Sequence, residues 1–88
     1  MKIIRIEADW CPECVIFMKP VWEEISREFP SVSMEIFNYD KDEEIKIKYN
    51  ISKVPTFIFL SDSGNEILRK NGIISKKEII EIINKTSV

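Results

Sequence analysis

The chain has 88 residues, two cysteines, no histidine and a net charge of −2; that is room for one domain around one core, expected to span residues 1–88. The near-neutral balance gives no reason to expect nucleic acid or an anionic membrane as partner, and no apolar run approaches the roughly 18–20 residues that span a bilayer. The start, MKIIRIEADW, breaks its apolar stretch at Arg5 and Glu7, so it does not read as a secretory leader. The expected setting is therefore the cytoplasm, where thiols are kept reduced, and no membrane partner is expected.

"KIIRIEA" (2–8) is short and β-branched, a strand. "CPECVIFMKPVWEEISREF" (11–29) has helical period, with Val15, Met18, Trp22, Ile25 and Phe29 spaced to share one stripe. Pro12 falls in its first turn, where a missing N–H costs nothing. Pro20 falls inside it and predicts a kink near Ile16–Pro20, and Pro30 closes it. "SVSMEIFNY" (31–39) alternates apolar and polar residues, a second strand. Asp40 with Glu43 predicts a capped short helix to about Tyr49. "VPTFIFL" (54–60) is continuously apolar, a buried central strand. "SDSG" (61–64) turns the chain into "NEILRKN" (65–71), the partner strand of a hairpin. Ser75 with Glu78 predicts a second capping box, ahead of an amphipathic helix over 76–85.

The element order is β-α-β-α-β-β-α. The first β-α-β favours a parallel pair through a right-handed crossover. The two most apolar strands belong in the middle, so the expected sheet order is (31–39), (2–8), (54–60), (65–71). This is an α/β fold: a four-stranded mixed sheet with the last strand antiparallel to its neighbour, flanked by three helices on both faces.

Cys11 and Cys14 are the chemistry-bearing pair. Two cysteines at C-x-x-C spacing read as redox or metal chemistry rather than as a structural staple. A zinc or iron site would want about four soft ligands, which two cysteines without histidine could supply only in a dimer sharing the site. The bland alternative is two small core residues.

W-C-x-x-C directly after the first strand, V-P-T opening the central strand and Gly72 before the last helix together resemble the thioredoxin superfamily. The spacing from "FNYD" (37–40) to "VPT" (54–56) fits that resemblance, which covers nearly the whole chain. The extra N-terminal strand and helix of full thioredoxins are missing, which leaves the compact size of a glutaredoxin. The resemblance implies a thioredoxin-like fold and thiol-disulfide oxidoreductase activity without a metal or organic cofactor. It implies a cis Val54–Pro55 bond facing the cysteines. It also implies a substrate rim of Trp10, Pro12, Glu13, Val54, Pro55, Gly72 and Ile73. Expected partners are proteins carrying disulfides and an upstream reductase, either thioredoxin-reductase-like or glutathione, with the chain itself a monomer. The alternatives are a glutaredoxin-like, glutathione-dependent enzyme and a non-catalytic binding module that keeps the fold.

Three departures stand out. Pro12-Glu13 replaces the Gly-Pro of thioredoxins. Arg5 stands where thioredoxins place a buried acid beneath the second cysteine. Pro20 comes one residue later than the family's helix proline.

The thiolate is the nucleophile, and a free cysteine with a pKa of about 8.5 is mostly thiol at neutral pH. Cys11, at the N-terminal end of the first helix, gains from the unpaired N–H groups and the macrodipole there. Cys14, one turn inside, is expected to be more buried and to stay protonated longer. Cys11 is therefore the expected attacking thiol and Cys14 the resolving one. Glu13 competes with the Cys11 thiolate for the same field, which predicts a reductase rather than an oxidase. Arg5 and Glu7 share one face of the first strand by i, i+2 spacing. They are either a surface ion pair or a pair beneath the site, where Arg5 stabilises a Cys14 thiolate and Glu7 relays its proton.

Overall fold

Strand β1 (Lys2–Glu7) alternates its side chains between two apolar layers, and that alternation organises the molecule. The computed structural model describes residues 1–86; residues 87 and 88 lie outside it. After β1 the chain forms a π-helical segment (Glu13–Met18) continuous with helix α1 (Lys19–Glu28), then β2 (Ser33–Asn38), α2 (Glu43–Lys48), β3 (Thr56–Leu60), β4 (Glu66–Asn71) and α3 (Lys76–Thr86). The sheet order is β2-β1-β3-β4, as the apolar content of β1 and β3 predicts. β1 and β2 run parallel, β3 is antiparallel to both β1 and β4, and the β3–β4 ladder carries an irregularity at Phe59/Leu60.

Ile3 of β1 joins Phe57 and Phe59 of β3 beneath Met18, Trp22 and Ile25 and the α3 residues Ile79, Ile82 and Ile83. Trp22 and Phe57 meet at 5.0 Å between ring centroids, tilted by 58°. Ile4, Ile6, Ile58 and Leu60 face the other way, onto Ile51 and the flank of α2.

The predicted kink is a π-turn rather than a proline bend. The Lys19 N–H donates to the carbonyl of Cys14, five residues back. Pro20, in the first turn of α1, has no N–H to give, so the ladder resumes beyond it. The wider turn absorbs the one-residue delay of Pro20 noted above. It also changes the predicted stripe. Met18, Trp22 and Ile25 are fully buried, but Val15 is rotated out and about half exposed, beside exposed Ile16 and Phe17.

Helix starts differ from expectation in detail. Asp42, not Asp40, precedes α2, and no side chain caps that helix. The Asp42 carboxylate instead accepts the Asn38 N–H at 2.6 Å, and the Asn38 side-chain oxygen accepts the Asp40 N–H at 2.9 Å. At α3, Ser75 Oγ accepts the Glu78 N–H at 3.1 Å, as a cap should. The Glu78 carboxylate leaves the box and pairs with Lys70 at 3.0 Å.

Arg69 ties β4 to the end of α2. Its Nε and Nη2 reach both oxygens of Glu66 at 2.7 and 2.6 Å, and its Nη1 donates to the Tyr49 carbonyl at 2.7 Å. The bonded guanidinium holds the Glu66 carboxyl below its ordinary value of 4.5. A depressed carboxyl stabilises the fold fully above its unfolded value and loses that contribution as pH falls through the folded one. Arg69→Met is therefore expected to lower stability by about 1 kcal/mol at pH 7, the upper range for a solvent-facing pair. The difference from wild type should shrink as pH falls below 4.5, read from urea unfolding curves at several pH values.

Candidate active site

β1 ends at Glu7, and the chain turns through Ala8 to Trp10 before the helix begins. The Cys11 N–H closes that turn on the Ala8 carbonyl at 3.2 Å. Cys11 thus sits just ahead of the first helical turn, and Cys14 within it. The Cys14 N–H donates to Cys11 Sγ at 3.2 Å, and the Cys14 and Val15 N–H groups both reach the Cys11 carbonyl at 3.1 Å. The two sulfurs are joined in a disulfide, with Cα atoms 5.3 Å apart. Burial does not separate the cysteines as expected: Cys11 is 2% exposed and Cys14 1%. Both are packed with Ala8, against the flanks of Tyr39 and Val54. The asymmetry lies in hydrogen bonding, because Cys11 Sγ receives a helix N–H.

Of the residues expected around this pair, the structure gathers several. The Val54–Pro55 bond is cis, and Pro55 is buried. The Gly72 N–H donates to the Pro55 carbonyl at 3.0 Å, which brings the loop before α3 to the loop before β3. Gly72 has φ +76°, in the region that favours glycine, and an added Cβ would meet open space. The next residue, Ile73, is exposed, as are Trp10 and Pro12, while Glu13 is half-buried. Trp10 is anchored by its indole N–H to Asp40 at 2.7 Å.

Two of these supports were absent from the sequence reading. Asp40 serves as the acceptor for Trp10 rather than as a helix cap, and the spacing from "FNYD" to "VPT" is its only signal in the sequence. Thr56, buried within β3, donates to the Lys53 carbonyl at 2.6 Å and accepts from Asn71 Nδ2 at 2.7 Å, pinning the strand entry on either side of Pro55. That clip follows from the Thr56–Asn71 register of β3 and β4, which periodicity alone does not give.

Arg5 and Glu7 do pair, at 2.8 Å between Nε and Oε2. Arg5 is 7% exposed, so this is no open surface bridge. Its guanidinium lies 5.5 Å from the Trp22 ring centroid. Both residues line an open cleft of about 460 Å³ together with Cys14, Lys19 and Ile36. Ile36, on the edge strand, is exposed there although its alternation predicts an inward face.

Comparison with known proteins agrees with this arrangement. The sequence model of the thioredoxin family matches residues 1–85. A thioredoxin of Chlamydia pneumoniae is 33% identical over 85 residues, covering 97% of this chain and 81% of its own length. An H-type thioredoxin of Oryza sativa subsp. indica is 37% identical over 62 residues, which is 70% of this chain and 50% of that protein. In three dimensions, the thioredoxin of Fasciola hepatica superposes with a TM-score of 0.84 at 29% identity, covering 97% of this chain and 79% of the other.

Proposed function

The chain belongs to the thioredoxin family and is a thiol-disulfide oxidoreductase; from that premise we propose that it reduces disulfides in proteins, with Cys11 attacking and Cys14 resolving. The observation that carries the assignment is the hydrogen bond from the Cys14 N–H to Cys11 Sγ. A backbone donor aimed at a sulfur favours its anionic form, and the helix start adds to it.

In the reduced protein, the Cys11 thiolate attacks one sulfur of a substrate disulfide. The S–S bond breaks, and the other substrate sulfur leaves as a thiolate. Cys14 then gives up its proton, and its thiolate attacks Cys11 Sγ. The Cys11–Cys14 disulfide forms, and the second substrate sulfur leaves and takes the proton. Two electrons pass from the protein's sulfurs to the substrate's, and no bound cofactor is called for. Trp10, Pro12, Val54, Gly72 and Ile73 form the surface on which an extended substrate segment rests; Pro55 is buried beneath it and supports the Val54 backbone, which offers the segment pairing groups. The unit is one domain acting as a monomer in a reducing, cytoplasmic setting, recharged by an upstream reductase. Among the described residues, no helix is long and apolar enough to cross a membrane.

The test is insulin reduction driven by dithiothreitol. Turnover above the uncatalysed rate is expected, and none would refute the reading. Recharging by glutathione alone, at the rate of a dedicated reductase, would move the protein to the glutaredoxin type. Glu13→Gln probes the reductase bias, because it removes a negative charge from the helix start. The Cys11 pKa, followed by thiolate absorbance, is expected to fall by about half a unit, the scale of one partly exposed charge. A value unchanged or raised would remove Glu13 from the account.

A further inference from the structure

Beneath the helix start lies a buried cation that the exchange reaction described above does not use. Side chains of Ile3, Arg5 and Glu7 project to the same face of β1 by strand alternation. Ile3 lies under Met18 and Trp22. Arg5 follows it on that face, with its guanidinium 5.5 Å from the Trp22 ring. Cys14 lies one helical turn before Met18 and lines the same cleft as Arg5 and Glu7.

The guanidinium has five N–H donors. Only Nε is spent, on Glu7 at 2.8 Å; among the described residues, the terminal nitrogens of Arg5 make no hydrogen bond. A nine-tenths-buried cation thus keeps four donors without a protein partner, in an open cleft that Cys14 also lines.

We propose that Arg5 stabilises the Cys14 thiolate in the resolving step, and that Glu7 is the positioning residue that holds the guanidinium in place. This rests on the dithiol reading above. Disulfide formation by Cys14 needs its proton removed while the sulfur is buried, and burial alone disfavours the charge. An opposite charge within about 4–6 Å reverses that penalty, more so where an aromatic ring excludes water from one side.

Other charged groups face the cleft. Asp42 is engaged by the Asn38 N–H. Asp9 and Lys19 are exposed and therefore screened. Tyr39 packs its ring beside the cysteines. Arg5 is the charge with both burial and free donors.

The experiment isolates Cys14 in a Cys11→Ser background and follows its thiolate absorbance against pH. Arg5→Met, which keeps the stem beside Trp22, is expected to raise the Cys14 pKa by about one unit or more. Arg5→Lys should restore most of that shift. Glu7→Gln keeps an oxygen to accept from Arg5 Nε and so holds the guanidinium in place, but removes the neighbouring negative charge and should lower the Cys14 pKa; it also carries the test if Arg5→Met does not fold. A Cys14 titration that ignores both charge changes, or moves the same way in both, overturns the proposal. Insulin turnover by the wild type depends on neither result, so failure here is separable from failure of the dithiol reading.

Discussion

Cys11→Ser is expected to abolish insulin reduction, a loss on the order of a thousandfold or more, because the attacking thiol is gone and Cys14 has no partner sulfur with which to close a disulfide. Cys14→Ser should behave differently. Pre-reduced and freed of dithiothreitol, its Cys11 still attacks, so one substrate equivalent is consumed and the reaction then stops. A burst followed by arrest is the kinetic signature of a missing resolving thiol. The near-equal burial of the cysteines makes this contrast informative, because exposure alone would not choose between them. If both variants lost the burst, attack would need both thiols. If Cys14→Ser retained turnover, an external thiol would be resolving the intermediate.

The second large effect is on stability. Trp22→Ala is expected to cost about 3–5 kcal/mol, the range for truncating a buried aromatic. A domain of this size holds roughly 4–13 kcal/mol in total at about 0.05–0.15 kcal/mol per residue. The loss is therefore about a quarter of that total at the least, and all of it at the low end. Trp22 is fully buried, packs at 5.0 Å from Phe57 and covers Arg5, so its loss opens the layer between helix and sheet. Trp22→Phe should cost much less. Among the described residues the indole N–H has no acceptor, so the shorter ring orphans no partner. Urea midpoints for the two variants check this; equal losses would place the importance of Trp22 in its indole ring rather than in packing.

Both predictions rest on features of unequal visibility in the sequence. The apolar runs of β1 and β3 placed those strands centrally, and W-C-P-E-C with V-P-T located the site, because these are local patterns. The π-turn was not legible. A helix stripe counted at 3.6 residues includes Val15, and only the bonded carbonyl of Cys14 shows where the count slips. Asp40 and Glu43 match a cap by spacing, yet the Asp40 carboxylate goes to Trp10, thirty residues away in sequence. Arg69 gave no local sign of reaching the Tyr49 carbonyl, which is a contact between elements. The same holds for Arg5: the i, i+2 rule paired it with Glu7, but its burial under Trp22 and its unused donors come from packing.

Cys11 is expected to be the thiol that makes the mixed disulfide with substrate. The most direct measurement is intact mass and peptide mapping of Cys14→Ser after incubation, fully reduced, with a disulfide-bonded protein substrate. One covalent adduct per chain is expected, released by dithiothreitol, with the substrate cysteine attached to the peptide carrying Cys11. The complementary Cys11→Ser protein should form none. No adduct in Cys14→Ser, or an adduct on Cys14 in Cys11→Ser of equal yield, would contradict it.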